Sequence, residues 1–431
     1  MPGAERQTAG ARRAFLFLQG PSSLFFSRIA DGLESLGHAV HRINLSIGDR
    51  LFWRRGGAIN YRGRLADWPA FVADFMDRHV ITDLLLIGEQ RDYHKQAIAA
   101  AKARDIQVTV TDFGYLRPDW ITLERDGMSG CSRFPRNPET ILRLAAELPS
   151  ADLTRHYRDS FWAMAVRDIV DNLSTYLLGW LYPHYRSTLR MVNPVLMYLG
   201  IAKRLLFGRR NRRRAERLLR ELLTAHKDYF IYPLQVAYDF QIRAYSDFSS
   251  QEQAIEQVLQ SFAQHADPAS ALLVKVHPLD PGTTSWSQLL ERLARQWGVV
   301  GRVYYIDGGN LDRICMDARG MVTINSTSGV SALQCGCPVI TLGQAIYDIP
   351  GLTFQDGLDA FWRQCTPPDI RLRDAFINLL AATIQIRGVY YTRPGLDAAV
   401  AEAVYRLHHN LVNAVLPATQ PPDASVTPIG T

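Results

Sequence analysis

The sequence predicts an α/β fold in which two domains, each with a mainly parallel sheet, flank a helical, basic middle segment. Three observations predict it. Short apolar runs alternate with helix-period stretches in both halves of the chain. Between them, from about Leu153 to Leu223, the pattern is helical and carries no strand signal. The length, 431 residues, is long for one domain and suits two.

In the first domain Phe15 to Leu18 reads as a strand, followed by the loop Gln19-Gly20-Pro21-Ser22-Ser23. A helix is expected from about Leu24 to Leu36, closed by Gly37-His38 in the manner of a glycine C-cap. Ala39 to Asn44 and Leu84 to Ile87 are further strands, and a helix near His94 to Ala103 leads into Gln107 to Thr111. Gly20 beside a helix is far short of a dinucleotide fingerprint. The middle segment holds an aromatic-rich piece, Phe161 to Tyr182, and then the basic run. Strand signals resume at Tyr229 to Tyr232, Leu272 to Val276, Val303 to Ile306, Met321 to Ile324 and Pro338 to Leu342. The resulting division is a first Rossmann-like domain over 12–150, the helical basic segment over 151–225 and a second Rossmann-like domain over 226–385. A C-terminal helix over 386–412 and a disordered tail over 413–431 complete it. Two such domains with a helical insertion form a GT-B-like plan, one that other two-domain enzymes share.

Composition excludes several classes. Hydrophobic residues make up 47% and charged ones 21%, a mix able to bury large cores. No run of about twenty apolar residues occurs, so no bilayer-spanning helix is expected. The apolar run Ala14 to Leu18 is too short for a secretory signal. The five cysteines lack zinc spacing and read as free thiols suited to a reducing cytoplasm. Net charge is +6, yet Arg186 to Arg220 alone carries eleven Lys/Arg against one Glu. The chain is therefore a near-neutral globule with one basic segment. Sparse aromatic interleaving in that segment argues against nucleic acid as a partner.

The chemistry concentrates at predicted strand ends. Lys275-Val276-His277-Pro278 and Asn325-Ser326-Thr327-Ser328-Gly329 each follow a buried apolar run, at the edge where open α/β sheets bind ligands. A cation, an imidazole, hydroxyls and amides at that edge suit a phosphate-bearing donor, with the N-terminus of a following helix aimed at it. A helix cap and a Pro turn are the plainer explanations. Asp112-Phe113-Gly114, running on to Arg117 and Asp119, offers a carboxylate and an arginine able to fork onto an anion; a Gly-containing turn with a surface ion pair explains it too. Gln235 and Asp239 follow the first strand of the second domain, where Asp239 lies in an otherwise apolar stretch and serves either as a reactive carboxylate or as a helix N-cap. The loop Gly343 to Thr353 closes over a nucleotide or merely turns the chain. Two carboxylates, one attacking an anomeric carbon and one handling the proton, suit glycosyl transfer with retention. The absence of a clear Asp-x-Asp motif points to a metal-independent site with no cofactor.

Seven separated motifs, between about Phe15 and Trp362, resemble the capsule polysaccharide biosynthesis proteins of the KpsS/LipB type. They are Phe17 to Pro21, Leu51-Phe52-Trp53 with Asn60 to Gly63, Gly114 to Glu124, Pro233 to Val236 with Asp239, Lys275-x-His277-Pro278, Asn325-Ser326-Thr327, and Tyr347 to Thr353. The resemblance fades through the basic segment and is absent from the tail. It implies a cytoplasmic retaining β-Kdo transferase peripheral to the inner membrane. Such an enzyme takes CMP-Kdo as donor and starts an oligo-Kdo linker on a lyso-phosphatidylglycerol acceptor, beside other capsule assembly and export proteins. By motif, Asp239 falls on the nucleophile and Asp112 on the acidic position ahead of Gly-Tyr. His277 and Lys275 face the donor, with Ser326, Thr327 and Ser328 as phosphate partners. Relatives carry Glu where this chain has Asp112, so Glu89 and Asp119 stand as alternative acid/base groups. A transferase using another nucleotide sugar and a non-catalytic assembly component remain alternatives. The basic run beside Met197, Leu199, Leu205, Leu206 and Phe207 suits anionic headgroups, or else a solvated helical face.

Overall fold

The computed structural model describes residues 12–185, 194–236 and 240–416. Within them the first strands and helices are β1 (Ala14–Phe17), α1 (Phe25–Ser35), β2 (Ala39–Asn44), α2 (Ile47–Phe52), β3 (Ile59–Asn60), α3 (Trp68–Arg78), β4 (Asp83–Ile87), α4 (Asp92–Lys102), β5 (Gln107–Phe113) and β6 (Trp120–Arg125). Helices α5 (Pro138–Ala145), α6 (Phe161–Leu177) and α7 (Pro194–Thr224) follow, then β7 (Tyr229–Pro233), α8 (Phe240–Ala244), α9 (Gln251–His265), β8 (Ala271–Lys275), α10 (Trp286–Gln296) and β9 (Val303–Ile306). The chain closes with α11 (Leu311–Met316), β10 (Gly320–Thr323), α12 (Ser328–Gln334), β11 (Val339–Thr341), α13 (Leu358–Gln364), α14 (Ile370–Thr383), β12 (Gln385–Arg387) and α15 (Gly395–His408). No helix among the described residues is long and apolar enough to cross a membrane.

Contacts divide the chain into two compact α/β units. Among the described residues the first gathers 12–133, 150–185 and 379–416, and the second 134–149, 194–236 and 240–378. The middle segment is therefore shared, with α6 in the first unit and α7 in the second. The C-terminal helix is part of the first unit rather than an appendage. Leu396, Ala399, Ala403 and Leu407 of α15 join Phe25, Ile29 and Leu33 of α1 in one buried cluster with Phe15 and Phe17 of β1. Arg406, 2% exposed, fixes the chain end by donating to the carbonyls of Thr383 and Ala414 at 3.0 and 3.1 Å and pairing with Glu402 at 2.9 Å.

The first sheet has the order β12-β6-β5-β4-β1-β2-β3. Strands β5, β4, β1, β2 and β3 run parallel, as the alternation of strand and helix requires. The antiparallel edge β5-β6-β12 was not foreseen, because β6 follows β5 through a hairpin and β12 is three residues long. Helix α1 ends as its sequence demands. Gly37 takes φ +87°, and the amides of Gly37 and His38 donate to the carbonyls of Glu34 and Leu33, a Schellman closure.

The second sheet is wholly parallel, in the order β11-β10-β7-β8-β9. Strands β7, β8 and β10 are buried along their whole length, which accounts for their continuous apolar runs. Successive strands progress outward from β7 through β8 to β9, and the order then reverses to β10 and β11. The crevice between β7 and β10 is the topological switch point, where ligands bind outside the carboxyl ends of the strands.

Candidate functional site

The second unit brings several predicted residues to that switch point. Gln235, just past β7, and Asn325, just past β10, are both buried. Gln235 Nε2 donates to Asn325 Oδ1 at 3.0 Å, so the two strand ends are bridged by side chains. Asn325 Nδ2 in turn donates to the carbonyl of Gln241 at 3.0 Å. The amide of Gln235 donates to Gln251 Oε1 at 3.1 Å, and Gln251 Nε2 donates to the Tyr232 hydroxyl at 2.8 Å. Asp239, the expected nucleophile, lies outside the described residues. The described residues flanking it, Gln235 on one side and Gln241 on the other, both bond to Asn325.

The Asn325 to Gly329 segment turns sharply. The Ser326 amide donates to Thr323 Oγ1 at 3.3 Å, and the Ser328 amide donates to Ser326 Oγ at 3.2 Å. Ser328 Oγ is buried and has no hydrogen-bond partner among the described residues. A buried hydroxyl left this way is costly unless a ligand or water meets it. The helix expected after this block forms as α12, but it is only seven residues long and its N-cap, Thr327, makes no side-chain cap. The polarity of the segment therefore resides in its hydroxyls and amides more than in a helix dipole. Below it, the Tyr347 hydroxyl donates to the Ser326 carbonyl at 2.5 Å. A Cβ on Gly329 would come within 2.3 Å of that hydroxyl, so only glycine fits there. The loop after β11 thus supports the turn through Tyr347.

Lys275 ends β8 and is buried at 7% exposure. Burial pushes its ammonium below the ordinary lysine range, while the nearby Asp307 carboxylate works in the opposite direction. His277, half-buried, accepts from the Leu279 amide on Nδ1 at 3.1 Å, and its carbonyl accepts from the Asp280 amide at 3.0 Å. This turn leaves Pro278 and Leu279 exposed.

The remaining candidates lie in the first unit. Asp112 belongs to β5 itself, opposite Thr122 of β6, so the Asp112 to Trp120 block is a hairpin rather than a loop after a strand. The half-buried Asp112 carboxylate accepts from the Phe113 amide at 2.7 Å. It contributes, after burial, to holding the Tyr390 hydroxyl well above its ordinary range. Arg117 is exposed, with its guanidinium 5.4 Å from the centre of the Phe113 ring. Asp119 does not suit proton transfer. It is fully buried, Oδ1 accepts from Arg387 at 3.1 Å, and Oδ2 accepts from the amides of His156 and Tyr157 at 2.7 and 2.9 Å. Glu89 is buried just past β4, beside the first sheet's own switch point between β1 and β4. Among the described residues no group of three or more His, Cys, Asp or Glu side chains is placed to hold a metal ion.

Several residues here were missed by sequence reasoning. Gln241, Gln251 and Tyr347 support the site through hydrogen bonds to residues distant in sequence, and Thr323 through a local one to the Ser326 amide. Only Tyr347 stood in a motif that the sequence had singled out.

Comparison with known proteins adds an independent line. A family model described as capsule polysaccharide biosynthesis protein matches residues 82–391. The capsule polysaccharide export protein KpsS of Escherichia coli is 31% identical over 386 residues, covering 88% of this chain and 97% of that protein. The capsule polysaccharide modification protein LipB of Neisseria meningitidis serogroup B is 32% identical over 401 residues, covering 88% of this chain and 91% of its own. Among solved structures, the β-Kdo 2,7 transferase KpsC of Thermosulfurimonas dismutans aligns with 17% identity and a TM-score of 0.42, over 92% of this chain and 99% of that one.

Proposed function

This chain belongs to the capsule polysaccharide biosynthesis protein family, and on that premise we propose that it is a retaining β-Kdo transferase of capsule glycolipid assembly. The donor is CMP-Kdo and the acceptor a lyso-phosphatidylglycerol at the inner face of the cytoplasmic membrane. The observation that carries this reading is the convergence of Gln235, Asn325 and the Ser328 hydroxyl, which has no partner among the described residues, at a switch point, with Lys275 at the end of the adjoining strand β8.

In this reading the Asp239 carboxylate attacks the anomeric carbon of Kdo and breaks its bond to the CMP phosphate oxygen. The departing phosphate takes the bonding electrons. Lys275, His277 and the hydroxyls of Ser326, Thr327 and Ser328 meet its charge, supplying fixed donors where charge develops. An acceptor hydroxyl then attacks the same carbon from the face the phosphate left. Its proton passes to the acid/base carboxylate, Asp112 by motif, and Asp239 is released. Two inversions give net retention. No metal is assigned to either step, and turnover in excess EDTA checks this.

The outer face of α7 supports a membrane-peripheral location. Leu196, Leu199 and Leu206 are at least 60% exposed, and Arg209, Arg210, Arg213, Arg214 and Arg217 follow on exposed positions. Each cation near an anionic surface contributes about 1 kcal/mol, and exposed leucines add interfacial burial. The direct test is ligand-dependent thermal stability: CMP or CTP should raise the melting temperature and UDP should not. Stabilisation by UDP alone would replace the donor with another nucleotide sugar.

A further inference from the structure

Helix α7 does more than present a basic face, because its opposite face is built into the loops that leave β8 and β9. Gly200 meets the Pro281 carbonyl so closely that a Cβ would lie 1.8 Å from its oxygen. Gly308, at φ +112°, faces the α7 backbone, with a built Cβ 3.2 Å from the Cα of Arg212. Between these two approaches Arg204 enters the loops. Its Nη1 donates to the carbonyl of His277 at 3.1 Å and also to the carbonyl of Asp280. Its Nε and Nη2 fork onto the Asp307 carboxylate at 3.2 and 2.5 Å, and Asn211 Nδ2 donates to the same carboxylate at 3.0 Å. Burial opposes the charge on Arg204, but Asp307 outweighs it and holds the guanidinium above its ordinary range. Arg204 is thus a three-way joint between the helix, the His277 turn and the strand end that carries Asp307. The exposed positions Leu199, Lys203, Leu206 and Arg210 lie on the other side of the same turns of helix.

We propose that Arg204 is a positioning residue that fastens the His277 loop to α7, so that anionic lipid seated on the outer face of the helix orders the loop. The inference rests on the proposed roles of α7 and His277, yet its primary readout needs neither donor nor turnover. A guanidinium holds two carbonyls and a carboxylate in one fixed plane, which a lysine ammonium on a flexible stem cannot reproduce. A helix held at a lipid surface moves less, and a loop bonded to it through a rigid fork shares that restriction.

Hydrogen–deuterium exchange of the full chain tests this, with vesicles of phosphatidylglycerol and phosphatidylcholine or of phosphatidylcholine alone. In the wild type, phosphatidylglycerol vesicles should slow exchange over 276–282 by about threefold or more, and phosphatidylcholine alone should not. Arg204→Ala should exchange about tenfold faster over 276–282 and lose the lipid response, while α9 stays protected and the variant still co-sediments with the anionic vesicles. Arg204→Lys, the gentler change, should fall between the two and lose most of the lipid response. It should also lower kcat/KM for the donor, because His277 is assigned to the charge that develops on the departing phosphate. Wild-type exchange over 276–282 in Arg204→Lys would overturn the proposal. So would a wild-type loop indifferent to anionic vesicles. If CMP-Kdo proves not to be the donor, the exchange pattern stands or falls on its own.

Discussion

Replacing Asn325 with alanine removes the bridge between the ends of β7 and β10. Two losses can be read from the structure. Gln235 Nε2 loses its acceptor at 3.0 Å and the Gln241 carbonyl loses a donor at 3.0 Å, while the backbone amide at 325 still faces Gln235 Oε1 at 3.5 Å. Gln235 is 5% exposed, so the side-chain amide that loses this acceptor has no ready access to solvent. Each buried hydrogen bond broken from one side costs about 1–3 kcal/mol. The vacated side chain leaves space for a water, which recovers part of that. The net expectation is a loss of about 2–4 kcal/mol, equivalent to roughly 4–16 °C for a unit of this size. Differential scanning calorimetry measures the shift, and isothermal titration with CMP measures the second consequence. The residues flanking Asp239 depend on Asn325, so CMP affinity should fall by more than about tenfold, or 1.4 kcal/mol. Asn325→Asp keeps the acceptor for Gln235 but sets a carboxylate against the Gln241 carbonyl, and should be no better. An Asn325→Ala protein within about 1 kcal/mol of wild type that binds CMP normally would refute the bridge as the organiser of the site.

Gly329→Ala places a methyl 2.3 Å from the Tyr347 hydroxyl, which must move and release the Ser326 carbonyl. We expect a loss of about 1–3 kcal/mol and clearly weakened CMP binding, and unchanged affinity would show that the turn is not part of the donor site. Asp119→Ala removes a buried carboxylate that pairs with Arg387 and accepts from the amides of His156 and Tyr157, and urea unfolding should show a loss of about 3–5 kcal/mol. Wild-type stability together with lost turnover would instead make Asp119 the acid/base. Asp171 makes a pH prediction. Burial pushes its carboxyl up to about 6 from 3.8, despite the Ser22 hydroxyl donating to it at 2.6 Å. The folded chain therefore keeps a proton that the unfolded chain has released, and stability falls as pH rises from about 4 to 6. Asp171→Asn should remove that fall and stabilise the protein at pH 7 but not at pH 4; parallel stability–pH curves would contradict it.

The sheet strands were legible because parallel strands buried on both faces must be apolar along their length. Ala271 to Val274 and Gly320 to Ile324 stood out for that reason. The edge strand β12 was not legible, since three residues carry too little pattern. Nor was the return of α15 to the first unit, which depends on its packing against α1 some 370 residues earlier. At the site, Lys275, His277 and the Asn325 to Gly329 block could be found from their position after strand-like runs. Their supports could not. Gln251 and Gln241 are ordinary glutamines in sequence and acquire roles only when folding brings β7 beside β10. Asp119 was misleading for a related reason. A buried carboxylate in a motif looks the same in sequence whether it transfers protons or pins three chain segments together.

Intact-mass analysis after incubation with CMP-Kdo tests the central claim most directly. The wild-type chain should release CMP and carry a single Kdo adduct that acceptor lipid discharges, and Asp239→Ala should carry none while still binding CMP. Release of CMP at the wild-type rate by Asp239→Ala, or no release by the wild type with acceptor and membranes present, would contradict the account.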